Sequence, residues 1–551
     1  MAQGWNVNPV TDIITFFEPP ATGTNNIVVQ QYAVPATGGA TDVFALSAWG
    51  PKFGYPSDVE FFADRLFFAG NTAQPQTVWA SKSGNYPDFG KTVPSVDDDA
   101  ITATLNARQV NAIKDLVPLD KLLLLTAGGE WKTAAGQDDV LTPSTIAFKP
   151  QSYNGASEVP ALVIGNTALY VQNRGYIVRD IGYQFESDGY TGNDLTVFAS
   201  HMTEGKPIVS WCYQQVPYSI VWSVRDDGVL LALTYMKEQS VVAWTPMEID
   251  GFVESVCAIP EGGEDAVYIV VVREGFRAIE RLTTRMITDV REAKFLDSCL
   301  TYDGRNTDAD RIMTVVADVP GDWSVGAGVS LSCVGVVEPF SAGDIGDKVV
   351  MGYNAGTNAV VRITAYNDPS LVFGVIETPG VDTFSLYATS DWGIARDVLT
   401  GLGHLNGRTV GVLADGFVQE QQTVSGGSIT LTEHAVLAHV GLPYDSDFET
   451  LEINIPGVTT TRLQNKIVKR VGVIVQDSRS IQVGPTFDKL KKRESRLVSD
   501  DPNGLPSLFQ GTVPVWIESG WVAQGRVCIR QSDPLPLALL GVIPEMTVGD
   551  L

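Results

Sequence analysis

Short apolar runs with period-two alternation, bounded by turn formers, fill most of this chain. Between residues 207 and 282 they fall into two consecutive copies of one unit. The first copy reads Ile208-Val-Ser-Trp-Cys-Tyr213, Ser219-Ile-Val-Trp-Ser-Val224, Val229-Leu-Leu-Ala-Leu-Thr-Tyr235 and Ser240-Val-Val-Ala-Trp-Thr245. Runs this short and this rich in β-branched and aromatic residues predict strands, and Asp227-Gly228 supplies the positive φ that a tight hairpin needs. The second copy reads Val253-Glu-Ser-Val-Cys-Ala-Ile259, Ala266-Val-Tyr-Ile-Val-Val-Val272 and Phe276-Arg-Ala-Ile-Glu-Arg-Leu282. Ser210 and Cys212 fall on Ser255 and Cys257, each 45 positions later.

The same unit extends backwards. Taking Asp58, Val110, Pro160, Pro207 and Val253 as unit starts gives spacings of 52, 50, 47 and 46 residues. A period in the forties with three or four strands per unit predicts β-propeller blades rather than a general meander. The pattern stops near residue 290. From there to 455, strands such as Val329-Ser-Leu-Ser-Cys-Val-Gly-Val336 and Ala359-Val-Val-Arg-Ile-Thr364 predict one or two inserted small β-barrel or β-sandwich modules. No stretch sustains a helical period, so the expected class is all-β with few helices: a β-propeller-like platform carrying inserts. The expected divisions are an amino-terminal arm at 1–45, with Asn26-Ile-Val-Val-Gln-Gln31 as a strand, and platform blades at 46–290. Inserted modules follow at 291–455. Carboxy-terminal strands at 456–551 are expected to complete the last blade or pair with the first, and to make partner contacts.

Charge narrows the function classes. With 38 Lys and Arg against 64 Asp and Glu, the formal charge of -26 repels nucleic acid on average and argues against a sequence-reading DNA binder. The five cysteines are scattered without a C-x-x-C pair, which predicts core filler from a reducing compartment instead of a disulfide frame. No signal peptide or membrane-spanning run is legible, so the expectation is a soluble chain with no membrane insertion.

Candidate chemistry is sparse. Gly84 with Gly90-Lys91-Thr92 has the wrong spacing for a phosphate loop, and Val93-Pro94 cannot open the helix it requires. His201, His404, His434 and His439 form no zinc or triad motif. Asp226-Asp227-Gly228 reads as a hairpin turn better than as a sialidase-type Asp box. Asp188-Gly-Tyr-Thr-Gly-Asn-Asp194 and the loop from Asp303 to Asp310 are acidic enough to hold calcium, yet lack the full ligand order. The expectation is no enzyme, no cofactor and no resident metal. One stretch departs from acidity. Residues 462–496 carry Arg462, Lys466, Lys469, Arg470, Arg479, Lys489, Lys491, Lys492, Arg493 and Arg496 against only Asp477, Asp488 and Glu494. It reads either as a solvated strand edge or as a partner-contact surface for an acidic neighbour.

Residues 49–70, Trp49-Gly-Pro-Lys-Phe-Gly-Tyr-Pro-Ser-Asp-Val-Glu-Phe-Phe-Ala-Asp-Arg-Leu-Phe-Phe-Ala-Gly70, and Pro75-Gln-Thr-Val-Trp-Ala-Ser81 resemble tail proteins of short-tailed bacteriophages. So do Arg108-Gln-Val-Asn-Ala-Ile113, Gln151-Ser-Tyr-Asn-Gly-Ala156, Phe185-Glu-Ser-Asp-Gly-Tyr190 and Gly192-Asn-Asp-Leu-Thr196. Val424-Ser-Gly-Gly-Ser-Ile-Thr430, His439-Val-Gly-Leu-Pro-Tyr444 and Cys528-Ile-Arg-Gln-Ser-Asp-Pro-Leu-Pro536 continue the pattern. The resemblance is to the tail nozzle, or tail tubular protein B, family of podoviruses, and covers residue 46 to the end. The stretch 341–379 is similar to a small β module of phage tail proteins. The resemblance implies a structural virion component in the tail: a homohexamer below the head-to-tail adaptor, contacting tail fibre or tailspike proteins. Double-stranded DNA would pass through it without being read during genome ejection. It carries over no catalytic motif. The rival expectation is a carbohydrate-binding or glycosidase-like propeller on a virion or cell surface.

Overall fold

A computed structural model describes residues 5–8, 13–16, 48–107, 110–135, 140–334, 339–356, 359–379, 386–455, 461–462, 464–493 and 508–549. Arg496 and the strand expected at 26–31 lie outside the described residues. The chain is all-β, with strands in antiparallel sheets and helical turns of three or four residues. It divides into two compact units, residues 1–247 with 251–277, and residues 248–250 with 278–551.

Residues 58–281 form five consecutive antiparallel meanders, the blades of a β-propeller. Blade 1 runs Asp58–Phe62, Arg65–Ala69, Thr77–Ala80 and Ile101–Thr104. Blade 2 runs Ile113–Pro118, Leu122–Thr126, Gly129–Ala134 and Ala147–Ser152. Blade 3 is Leu162–Ile164, Thr167–Val171, Val178–Gln184 and Gly189–Thr191. Blade 4 comprises Ile208–Gln214, Ile220–Arg225, Leu230–Met236 and Val241–Met247, with Trp211 opposite Ser223. Blade 5 has three strands, Phe252–Glu261, Glu264–Arg273 and Phe276–Arg281.

Strand alternation explains why these sheets stack. Side chains of successive strand residues point to opposite faces, so a strand buried on both sides reads as a continuous apolar run. In blade 2, Leu122 and Leu124 join Phe67, Val78 and Ile101 of blade 1 in one core. Leu123 and Leu125 turn the other way, onto Ala168, Tyr170 and Ile181 of blade 3. Blade 3 repeats the device: Leu169 and Val171 pack with Trp211, Val221, Leu233 and Tyr235 of blade 4. At about 1.5–3 kcal/mol for each large apolar side chain fully buried, these shared cores dominate blade stacking.

The second unit has several cores. Strands Ile312–Ala317, Gly328–Val334, Lys348–Met351, Ala359–Asp368, Leu371–Thr378, Leu386–Thr389 and Trp392–Leu399 join Ile429–Ala435 in an eight-stranded sheet. Residues from across that sheet, including Met313, Leu331, Val349, Val361, Val372 and Trp392, enclose one core. Asp297–Asp303 pairs with Leu437–Leu442, so residues 312–399 are an insertion between two partnered strands. The expected small module at 341–379 is a part of this larger one. A second core gathers Leu399, Val410, Val412, Leu431 and Val440, and a third Val471, Val473, Val483, Val513 and Ile529.

The carboxy-terminal strands differ from expectation. Lys466–Ser478 pairs with Phe509–Trp516 and Ala538–Val548, and Cys528–Gln531 pairs with Ser446–Glu449 and Gln482–Gly484. Among the described residues they complete no blade. Blade 1 draws all four strands from residues 58–104, which leaves it no need of a distant one.

Candidate functional site

The most elaborated chemistry in the first unit lies at the joints between blades. The first strands of neighbouring blades are tied by side chains that accept backbone N–H groups across the joint. Asp58 Oδ2 accepts from Leu116 N at 2.6 Å, Asp115 Oδ2 from Ala161 N at 2.6 Å, and Ser210 Oγ from Val256 N at 3.4 Å. Trp211 Nε1 donates to the Pro160 carbonyl at 2.6 Å, and Gln214 Nε2 to that of Asp265 at 2.7 Å. Asp58 and Asp115 also touch each other. Burial, offset in part by the Ala161 N–H and reinforced by the Asp58 charge, pushes the Asp115 carboxyl up to about 7. The pair therefore clamps blade 1 to blade 2.

A second buried carboxylate, Glu130, is fully enclosed. Its Oε2 accepts from Ser152 Oγ and from Asn154 N at 3.3 Å, and the Tyr170 hydroxyl of blade 3 lies against it, its pKa raised first by burial and then by the Glu130 charge. Gln151 Oε1 accepts from Tyr190 N at 2.8 Å, and the Tyr190 hydroxyl accepts from Lys121 N at 3.0 Å. Asn193 N donates to Asp180 Oδ1, whose other oxygen meets the Tyr235 hydroxyl of blade 4 at 3.3 Å. Arg65, 3% exposed, donates to the carbonyls of Ser81, Asp97 and Asp99 at 2.8, 2.8 and 2.6 Å. Trp49 sits in an aromatic cluster with Phe68, Trp79 and Phe89 at centroid distances of 4.7, 5.6 and 5.6 Å.

The sequence-level candidates resolve as follows. In the Gly84–Thr92 loop, Asp88 Oδ1 accepts from Gly90 N at 2.7 Å and Asp99 Oδ2 accepts from Thr92 N at 2.8 Å, so carboxylates hold the loop's backbone, and Lys91 is exposed. Asp188 accepts from the Tyr183 hydroxyl and Asp194 caps Thr196, both as turn groups. Asp303 is bound bidentately by Arg305, which also reaches Glu292 at 2.5 Å. Asp308 Oδ1 accepts from Asp310 N at 3.0 Å, so Asp303 and Asp308 serve as ion-pair and turn groups. Asp227 chelates Arg225 and meets Lys206 at 2.9 Å, fastening the hairpin turn. His439 is buried between Thr301 Oγ1 and the Arg291 carbonyl, each at 2.8 Å, and burial lowers its pKa. Cys333 and Cys528 are core residues as expected, but Cys257 is exposed and Cys212 and Cys299 are half-buried. The correction follows from strand alternation: Cys257 lies on the face of its strand turned from the blade interior.

The basic segment divides. Lys466 is fully buried, its ammonium donating to the carbonyls of Gln464 and Ala523 at 3.2 and 2.5 Å, so it offers no contact surface. Its aliphatic stem packs on Gly525. Arg470 pairs with Glu545 at 2.8 Å on the adjacent strand and lies over Trp516, Lys491 pairs with Glu518 and Lys492 with Asp533. Arg493 stacks on Phe509. Lys469, Lys489 and Arg462 are exposed. Three of the segment's ten cations, Arg470, Lys491 and Lys492, are thus met by acids from outside it.

One cluster escaped the sequence reading. Asp347, Asp397 and His434 place one ligand atom each within 4.8 Å of one another. His434 Nε2 stands 4.0 Å from Asp397 Oδ2, while Arg396 reaches Asp347 at 3.2 Å and Asp344 at 2.6 Å. Only a strand pairing could have revealed it, since the three residues share no local motif.

No family model matches the chain, and no curated protein matches it. Among solved structures, the chain is similar to the β-propeller domain of Cps50 (Swd1) from Myceliophthora thermophila, at 12% identity over 40% of this chain and 67% of that one, with a TM-score of 0.26. YCF48 bound to D1 peptide is 10% identical over 71% and 93% of the two chains, with a TM-score of 0.28. Hsv2p from Kluyveromyces lactis is 11% identical over 59% and 98%, with a TM-score of 0.23. These likenesses concern the fold alone.

Proposed function

We propose that this chain is a non-catalytic structural component of a virion, a tail nozzle of a short-tailed bacteriophage. Six copies would ring the DNA exit channel below the head-to-tail adaptor, with fibre or spike proteins docked outside. One observation carries the reading: several residues of the phrases behind the family resemblance tie the blades together or brace them internally. Gln151, Ser152 and Asn154 belong to one such phrase, Tyr190 to another and Asn193 to a third, and each makes a tie described above. Asp58 and Arg65 belong to the first phrase and fasten blade 1 to blade 2 and to its own long loop. Residues used in this way keep shape under load rather than bind a substrate.

The acid excess supports the passage of DNA. A wall of net negative charge repels duplex phosphates, so the genome slides without sticking. The glycan-binding alternative needs carboxylates and aromatics on one face. Here Val59 and Phe61 are exposed while Asp58 alternates to the opposite side of the same strand, against blade 2. Light scattering and negative-stain imaging of the purified chain, alone and with the adaptor, test the proposal. A ring of six times the 59.3 kDa chain mass is expected. A monomer under both conditions would sink it.

A further inference from the structure

The inserted module meets its neighbour along three adjacent strands of the eight-stranded sheet, Lys348–Met351, Trp392–Leu399 and Ile429–Ala435. Pairing between the last two is interrupted. Arg396 faces Ala435 and Val398 faces Thr430, so Asp397 alone spans an arch of four residues, 431–434. Bulges of this kind re-aim side chains. Here the arch brings His434 beside Asp397, while Asp347, one residue before the first of these strands, stands opposite Arg396.

We infer that Asp347, Asp397 and His434 form a binding site for a divalent transition-metal cation of the Zn2+ type. One imidazole nitrogen and two carboxylate oxygens are a ligand set suited to such an ion, and the partial exposure of Asp397 and His434 leaves a side open for water. The ligand atoms stand within 4.8 Å of each other. Zn2+ with ligands at about 2.0–2.2 Å draws such atoms in by about 1 Å, within reach of carboxylate rotation. Charge points the same way: Asp344 and Asp347 share one guanidinium, Arg396, which rests over the Tyr302 ring, and Asp397 adds a third carboxylate to the cluster. Calcium and magnesium prefer all-oxygen shells, so the histidine discriminates against them. Bound metal would pin the arch to the module's last strand, joining the core around Val349 and Trp392 to that around Leu399 and Leu431.

Calorimetric titration of the full-length chain with ZnCl2, and separately with CaCl2, tests the site. One Zn2+ per chain is expected, binding at least tenfold more tightly than Ca2+. Affinity should fall at least tenfold in His434→Gln and in Asp397→Asn, and stay unchanged in His404→Gln. Absence of saturable one-to-one binding, or wild-type affinity in His434→Gln, overturns the assignment. If the variants unfold, Co2+ added to the unmodified chain decides. A tetrahedral visible spectrum without thiolate charge transfer supports the site, and the spectrum of the aquo ion refutes it.

Discussion

Asp115 is the residue at which pH enters the stability of the wall. Below about pH 4 it is protonated in the folded and the unfolded chain alike. Above that, the unfolded chain releases the proton, whereas burial and the Asp58 charge hold it in the fold up to about 7. Stability contributed by this group therefore falls as pH rises from about 4 to about 7, by on the order of 4 kcal/mol. Asp115→Asn copies the neutral acid: its carbonyl can accept the Ala161 N–H and its amide can donate to Asp58. Urea unfolding at successive pH values should show a flatter slope over this range for the variant than for the wild type, and an unaltered slope would refute the raised Asp115 pKa. Arg65 makes a different contribution. Replaced by Met, it leaves three carbonyls of the long blade 1 loop without their donor. A loss of about 2–4 kcal/mol in the same unfolding assay is expected, since unmet buried acceptors cost about 1–3 kcal/mol each and the loop can partly reopen to water.

Among elements, the hairpin at Gly228 shows how a turn and a joint can be one feature. Gly228 has φ +80°, and a Cβ there would stand 2.5 Å from the Phe252 ring and 3.0 Å from its Cα. Gly228→Ala should cost more than about 2 kcal/mol, because left-handed strain and collision with blade 5 act together. A thermal melt with the wild-type midpoint would contradict this. Asp227-Gly228 was legible as a turn in the sequence, but its contact with the next blade was not. The same split runs through the chain. The first three strands of each blade announced themselves through dense apolar runs such as Leu122–Thr126, buried on both faces. The fourth strands of blades 1–3 did not. Ala147–Ser152, with Lys149 and Pro150, has no buried position and carries little apolar signal. The site residues were hidden for a related reason. Asp58 meets Leu116 and Asp115 meets Ala161, pairings that only the stacking of blades creates. His434 and Asp397 required a bulge, which no local pattern announces.

At the scale of the whole molecule, the question is which surface carries assembly in an acidic chain. The basic segment was a natural candidate: Lys466 is buried and three of its cations are paired with acids from outside it, while Lys469 and Lys489 are among its exposed positions. Exposed lysines hold little of the fold: surface substitutions away from buried features stay within about 0.5 kcal/mol. They are well placed to steer an acidic partner, because rim charges set encounter rates and their salt dependence more than they set stability. The double variant Lys469→Glu with Lys489→Glu should therefore melt as the wild type does. If this face docks on a neighbouring copy or the adaptor, association measured by light scattering should weaken at least tenfold near physiological ionic strength. The wild type should lose association as salt rises, whereas the variant, lacking the attraction, should respond less. Equal association of the two proteins at low and high salt would remove this face from the assembly, and leave the exposed Val59 and Phe61 side of blade 1 as the next surface to alter.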